Sequence, residues 1–259
     1  MTVSRCGRSN TLVLLSAVAG ALGLPAVSWA GSGGGALGPS SSSKPSTTAP
    51  RSNTTVQPGN LTGFASGGGM TLRGRSSTLL RNQLQFSGTV PARDAGALVQ
   101  IERMGHETGW GWAVTAQARV GSGGSFSATW TTNHIGRFAI RAVVAAAASG
   151  ARAADASATV TVTVYRPSIA TQYGPGFWGN ETACGEVLRP RTLGVANRTL
   201  PCGTAVAIYY HGRTIVVPVI DRGPYANNAD WDLTQATAQA LGMGGTETIG
   251  AVSLPPAPG

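Results

Sequence analysis

The chain has 259 residues, 42% of them hydrophobic and only 11% charged, with a formal net charge of +9. Basic charge raises nucleic acid as a partner, but Lys44 is the one lysine and no helix-turn-helix, finger or RNA-binding strand motif is present, which argues against it. The charge is also uneven: residues 68–165 hold nine arginines and four acids, whereas residues 166–259 hold six of each. A basic segment beside a neutral one suits an anionic polymer matrix such as a bacterial cell wall.

Residues 1–30 read as a secretory signal peptide. Arg5 and Arg8 supply the positive start, residues 11–24 are apolar, and Ser28-Trp-Ala30 offers small residues for cleavage. The apolar run is short for a membrane span, so no stable membrane insertion is expected after cleavage. Cys6 precedes the apolar run, which argues against a lipid anchor. The mature chain is expected to be secreted, extracellular or wall-associated. Cleavage leaves Cys184 and Cys202, and an even number in an exported chain suggests one disulfide. Nothing completes a zinc set around them, and neither metal nor cofactor is expected.

Residues 31–67 are rich in Gly, Ser, Thr, Pro and Asn, and are expected to form a flexible linker. Residues 68–165 alternate with period two between Gly-rich breaks. Candidate strands are 84–90, 98–101, 113–120, 126–130, 138–144 and 158–164, which predicts an immunoglobulin-like β-sandwich. The alanine run from Ala145 is read as a hairpin arm. Trp110 and Trp112 would share one face of a strand, either as a sugar platform or as packing. His106 and His134 lack further ligands at a useful spacing and are read as ordinary loop or sheet residues.

Residues 168–254 again read as short strands and tight turns: 169–173, 192–196, 204–210, 213–220 and 249–252. His211-Gly212 suits a hairpin turn. Pro218 marks an edge, bulge or crossover. A helix is expected over 233–241, stopped by Gly242 and capped by Asp232 or Thr234. Asp221 ends the long apolar strand, with Arg222-Gly-Pro-Tyr225 after it. Tyr173, Phe177, Trp178 and Tyr225 offer stacking surfaces for sugar rings. Arg222 has three open partners: Asp221, Glu186 or a substrate carboxylate.

Five segments appear in a specific order: Ala170-Thr-Gln-Tyr-Gly-Pro-Gly-Phe-Trp-Gly179, Thr182-Ala-Cys-Gly-Glu186, Leu193-Gly-Val-Ala-Asn-Arg-Thr-Leu-Pro-Cys-Gly-Thr204, Val219-Ile-Asp-Arg-Gly-Pro-Tyr225 and Trp231-Asp-Leu-Thr-Gln-Ala236. Together they resemble the rare lipoprotein A (RlpA) family, related to expansins and barwin-like domains. The resemblance implies a six-stranded double-psi β-barrel with a short helix, in an otherwise all-β chain, and does not extend to residues 68–165.

Family members include endolytic transglycosylases that cut MurNAc-β-1,4-GlcNAc bonds in peptidoglycan and leave 1,6-anhydromuramyl ends. By resemblance Asp221 is the acid/base residue, Glu186 the second functional carboxylate and Asp232 a groove aspartate. The family often has histidine where this chain has Asn197, and Asn can hold substrate but cannot relay a proton. That departure, with the cysteine pair, also resembles expansin-like and barwin-like members, some of which bind or loosen wall polysaccharide without cleaving it, so an enzyme, a wall-binding barrel and an exported structural or inhibitory module of barwin type all stay open. Peptidoglycan or another wall polysaccharide is the expected partner.

Overall fold

The computed structural model describes residues 55–145, 156–226 and 228–255. The signal peptide, residues 31–54 of the linker and most of the arm after Ala145 lie outside the described residues. In chain order the strands are β1 (Gln57–Pro58), β2 (Thr62–Gly67), β3 (Met70–Arg75), β4 (Ser77–Leu79), β5 (Gln83–Thr89), β6 (Leu98–Met104), β7 (Ala113–Arg119), β8 (Ser125–Thr131), β9 (Gly136–Val144) and β10 (Val160–Tyr173). There follow β11 (Val195–Ala196), β12 (Ala205–Tyr210), β13 (Arg213–Asp221), β14 (Trp231–Thr234), helix α1 (Gln235–Leu241) and β15 (Glu247–Leu254).

Alternation builds the first module. Leu84 and Phe86 of β5 and Phe126, Ala128 and Trp130 of β8 are buried, and the residues between them face solvent. The sheet β2-β3-β5-β8 faces a second sheet of β7-β6-β9 and the first half of β10, with β4 beside it. Leu72, Leu84, Phe86 and Trp130 from one sheet meet Ile101, Phe138, Ile140 and Val162 from the other in one core. Trp130 and Phe138 meet edge to face, with centroids 5.8 Å apart. Each large side chain buried this way contributes roughly 1.5–3 kcal/mol.

The second module is a closed ring. The second half of β10 runs parallel to β14, and β14 is antiparallel to β11. β11 is parallel to β13, and the ring continues antiparallel through β12 and β15 back to β10. These six strands leave no open edge. Val206, Ile208, Ile215, Val217 and Leu233 fill the interior, and Leu241 of α1 covers it. This is the double-psi barrel expected of residues 168–254.

Several expectations need correction. The chain is ordered into strands well before residue 68: β1 pairs with β13, and β2 forms an edge of the first module. Short runs with few large apolar residues concealed these strands. Residues 166–167 are not a gap between domains, because β10 runs unbroken through both modules and Pro167 aligns with Gly250. Tyr165, Ala207 and Val252 bury a small cluster at that junction. A side chain at Gly250 would meet Tyr165 Cβ at 2.7 Å, so a glycine is required for that approach.

The helix begins at Gln235, not 233, because Leu233 and Thr234 belong to β14. Thr234 is the cap, its hydroxyl accepting the Thr237 amide, and Gly242 closes the helix at φ +74°. Asp232 is not the cap. The strand expected over 192–196 shrinks to two residues, where its register with β13 shifts. Trp110 and Trp112 precede β7, so strand alternation does not govern them. Trp110 sits at φ +62°, and the Arg141 guanidinium covers Trp112 at 4.0 Å.

Candidate active site

Ring closure sets the site. Ala196 on β11 aligns with Asp221 on β13 and with Asp232 on β14. Asp232 also aligns with Thr171 on β10. Aligned residues on neighbouring strands share a face, so this row carries two carboxylates on one side of the barrel. Tyr173 follows Thr171 by two residues and faces the same way.

Asp221 is fixed by its backbone surroundings. Its Oδ1 accepts the amides of Ala183 at 2.9 Å and Arg222 at 2.8 Å. Ala183 is held in turn by its neighbour Cys184, whose amide donates to Ile220 at 3.2 Å. The expected disulfide between Cys184 and Cys202 is present, with Cα atoms 5.7 Å apart. It ties the loop bearing Glu186 to the loop before β12. Within the first of these loops, the Thr182 hydroxyl accepts the Glu186 amide at 3.2 Å, and the Glu186 carbonyl accepts the Thr182 amide at 2.8 Å. Glu186 itself is exposed.

Asp232 has a different environment. Burial pushes its carboxyl above the ordinary 3.8, the Thr171 hydroxyl opposes that shift, and the negative charge of Asp221 adds to it. The Thr171 hydroxyl donates to Asp232 Oδ1 at 2.8 Å. Tyr173 joins the set. Its hydroxyl is buried and has no hydrogen-bond partner among the described residues. Burial, then Asp221, Asp232 and Glu186, all push its pKa upward. Asp221, Asp232 and Tyr173 therefore share one face of the barrel by register, and the charge of Glu186 adds its influence from the neighbouring loop.

The aromatic candidates divide into two kinds. The Tyr173 ring meets Phe177 edge to face at 6.3 Å. Phe177, Trp178 and Tyr225 are 57%, 41% and 80% exposed, leaving apolar ring surface in water. Tyr225 follows a cis Gly223–Pro224 bond, in a loop held by Arg198, which donates to the Pro224 and Ala229 carbonyls at 2.8 and 3.1 Å.

Arg222 and Asn197 serve the scaffold. The Arg222 guanidinium donates to the Asn197 and Asp221 carbonyls and to Cys202 Sγ, and makes no ion pair with Asp221 or Glu186. Asn197 Oδ1 accepts the Thr199 and Leu200 amides at 3.1 and 3.0 Å, and its Nδ2 donates to the Asp230 carbonyl at 3.4 Å. Its amide therefore shapes the 197–200 turn, a role sequence reasoning missed in assigning it to substrate. Thr171, Ala183 and Arg198 were missed as well. An Asx turn at Asn197 was the one signal available for any of these.

Among the described residues no group of three or more His, Cys, Asp or Glu is arranged to hold a metal. Two cavities lie at the junction of the modules, and Asp221 lines neither.

A family model described as lytic transglycolase matches residues 168–253. The probable endolytic peptidoglycan transglycosylase RlpA of Synechocystis is 43% identical over 77 residues, covering 29% of this chain and 24% of that protein. The endolytic peptidoglycan transglycosylase RlpA of Campylobacter jejuni is 39% identical over 77 residues, covering 29% and 28%. The match therefore spans about a quarter of these relatives' length. A solved structure, the Streptomyces papain inhibitor, matches 34% of this chain and 93% of its own at 27% identity, but its TM-score of 0.29 is too low to carry an argument. The matched segment, the closed six-strand ring and the ordered motifs agree: residues 168–253 form an RlpA-like double-psi β-barrel domain.

Proposed function

We propose that this protein is a lytic transglycosylase that cleaves MurNAc-β-1,4-GlcNAc bonds in peptidoglycan. The observation that carries this reading is the strand register that sets Asp221 and Asp232 on either side of Ala196, on one face of the barrel, within a segment matched by a lytic transglycolase model.

Glycosidic cleavage needs a proton for the leaving oxygen and stabilisation of an oxocarbenium-like centre. The amides of Ala183 and Arg222 both bind Asp221 Oδ1, which leaves Oδ2 for the substrate. Asp221 protonates the departing O4 as the C1–O4 bond breaks. The muramic acid C6 hydroxyl then attacks C1 and returns its proton to Asp221. The product carries a 1,6-anhydro ring, and no water is consumed. Ionised neighbours stabilise the positive centre, and Glu186 at the exposed side is suited to sugar hydroxyls or to that charge. Phe177, Trp178 and Tyr225 supply ring faces for the sugars on either side.

Export fits this reading. A cysteine pair in a disulfide belongs to an oxidising compartment. Among the described residues no helix is long and apolar enough to cross a membrane. The signal at residues 1–30 would deliver the chain to the wall.

One observation favours a second reading, a non-hydrolytic wall-binding barrel. The side chain at position 197 is an amide that shapes a turn and does not titrate. Digestion of purified peptidoglycan, read by mass spectrometry, separates the two readings. Anhydromuramyl fragments support the enzyme. Sedimentation with the wall and no soluble fragments supports the binding barrel.

A further inference from the structure

Beyond the carboxylate site, the junction of the two modules encloses a cavity of about 1000 Å³. That is at the upper end of the range for small-ligand sites. Trp110 and Ile135 line it from the first module, Leu200 and Leu254 from the barrel, and Glu107 and Arg137 supply its charges.

Trp110 is held there against its backbone preference. Its φ of +62° is unfavourable for a bulky side chain and is not needed for a glycine turn, since Gly109 beside it already sits at φ +60°. The surrounding loop fixes it. The Trp110 amide donates to the Gly105 carbonyl at 2.9 Å. The Thr108 hydroxyl accepts the Gly105 amide at 3.0 Å and donates to the Gly111 carbonyl at 2.7 Å. The result is an indole left 37% exposed inside a cleft.

The charges in the cleft are not balanced. Glu107 is matched by Arg103 at 2.7 Å and faces His134 at 3.6 Å. Arg137 is exposed and forms no ion pair among the described residues. An exposed indole and an unmatched guanidinium lining one cleft suit a sugar ring that carries a carboxylate.

The cleft also shares a wall with the carboxylate site. Leu200 lines the cleft, while its amide is held by Asn197 and the adjoining Cys202 contacts Arg222. We infer that this cleft is a second glycan-binding site, with Trp110 as the stacking face and Arg137 selecting a carboxylate-bearing amino sugar. The choice of wall glycan as the source rests on the proposed function; the binding itself does not require turnover. A strand spanning both sites would be held at two points, which raises its effective affinity without new contacts.

The test is calorimetric titration of the mature Asp221→Asn chain, so that no bond is cut. The probes are a stem-peptide-free MurNAc–GlcNAc tetrasaccharide and chitotetraose, which lacks the carboxylate. Trp110→Ala should weaken both by at least about tenfold. Arg137→Gln should weaken only the tetrasaccharide that carries carboxylates. Melting curves check that both variants are folded, and Arg137→Gln, on an exposed strand position, is the safer of the two. Unchanged affinity in both variants would overturn the proposal, as would loss in Tyr225→Ala alone or no saturable binding by the parent. Failure of the enzymatic reading would be seen separately, as absence of anhydro products from the Asp221 chain, and would leave these binding results intact.

Discussion

Asp221 and Asp232 flank Ala196 on adjacent barrel strands, so one two-residue strand holds two carboxylates in register on the same face. They have been given different surroundings. Asp221 is oriented by two backbone amides, whereas Asp232 is partly buried with the Thr171 hydroxyl as its donor.

The burial of Asp232 has a consequence for stability. Its pKa in the folded chain lies above the ordinary 3.8. Below the unfolded value the carboxyl is protonated in both states and nothing is lost. As pH rises through the folded value, the folded state must hold an unfavourable charge, so stability falls. Asp232→Asn keeps an oxygen acceptor for Thr171 and removes that charge. The variant should melt higher than wild type at pH 7, and the gap should close toward pH 3. Melting temperature against pH checks this.

Tyr173→Phe should leave stability unchanged or raise it by about 1 kcal/mol, because the hydroxyl it removes is buried without a partner. Activity should fall if that hydroxyl meets substrate. Denaturant unfolding and steady-state rates on the same preparation separate the two effects.

The disulfide closes an 18-residue separation between two loops that both hydrogen-bond the end of β13. Replacing both cysteines with serine should cost roughly 3 kcal/mol by loop entropy. It should also lower activity, since the loop that carries Ala183 and Glu186 would lose its covalent tie to the loop before β12. Chemical denaturation with and without reductant measures the first effect, and turnover by the folded fraction measures the second.

Thr237 is buried on α1, its hydroxyl accepting the Gly194 amide at 2.9 Å and lying 2.9 Å from the Thr234 hydroxyl. Thr237→Val keeps the shape and leaves those groups unsatisfied, so about 1–3 kcal/mol of stability should be lost. Equilibrium denaturation checks the value. Because Gly194 immediately precedes β11, the loss should also loosen the strand between the two aspartates.

The motifs that carry chemistry were legible because they are local. Asp221, Glu186, Tyr173 and the cysteine pair each sit in a distinctive short segment. What brings them together was less legible. β14 is four residues long and runs directly into α1, so Leu233 and Thr234 resembled the start of a helix. Without that strand, its alignment with Thr171 could not be foreseen, nor could the hydroxyl beside Asp232. β2 contains two glycines and a single large apolar residue, Phe64, which faces solvent, and so has the composition of a linker. Asn197 was read as a groove residue because its carbonyl partners, the Thr199 and Leu200 amides, depend on a turn that only the folded chain fixes.

The central claim is that Asp221 carries out glycosidic cleavage. Purified peptidoglycan, intact and stripped of stem peptides, should be digested with the mature protein and with Asp221→Asn, and the soluble products weighed by mass spectrometry. The account predicts 1,6-anhydromuramyl fragments from wild type and none from the variant, with both proteins still bound to the wall. Anhydro fragments from Asp221→Asn at the wild-type rate, or none from wild type, would contradict it.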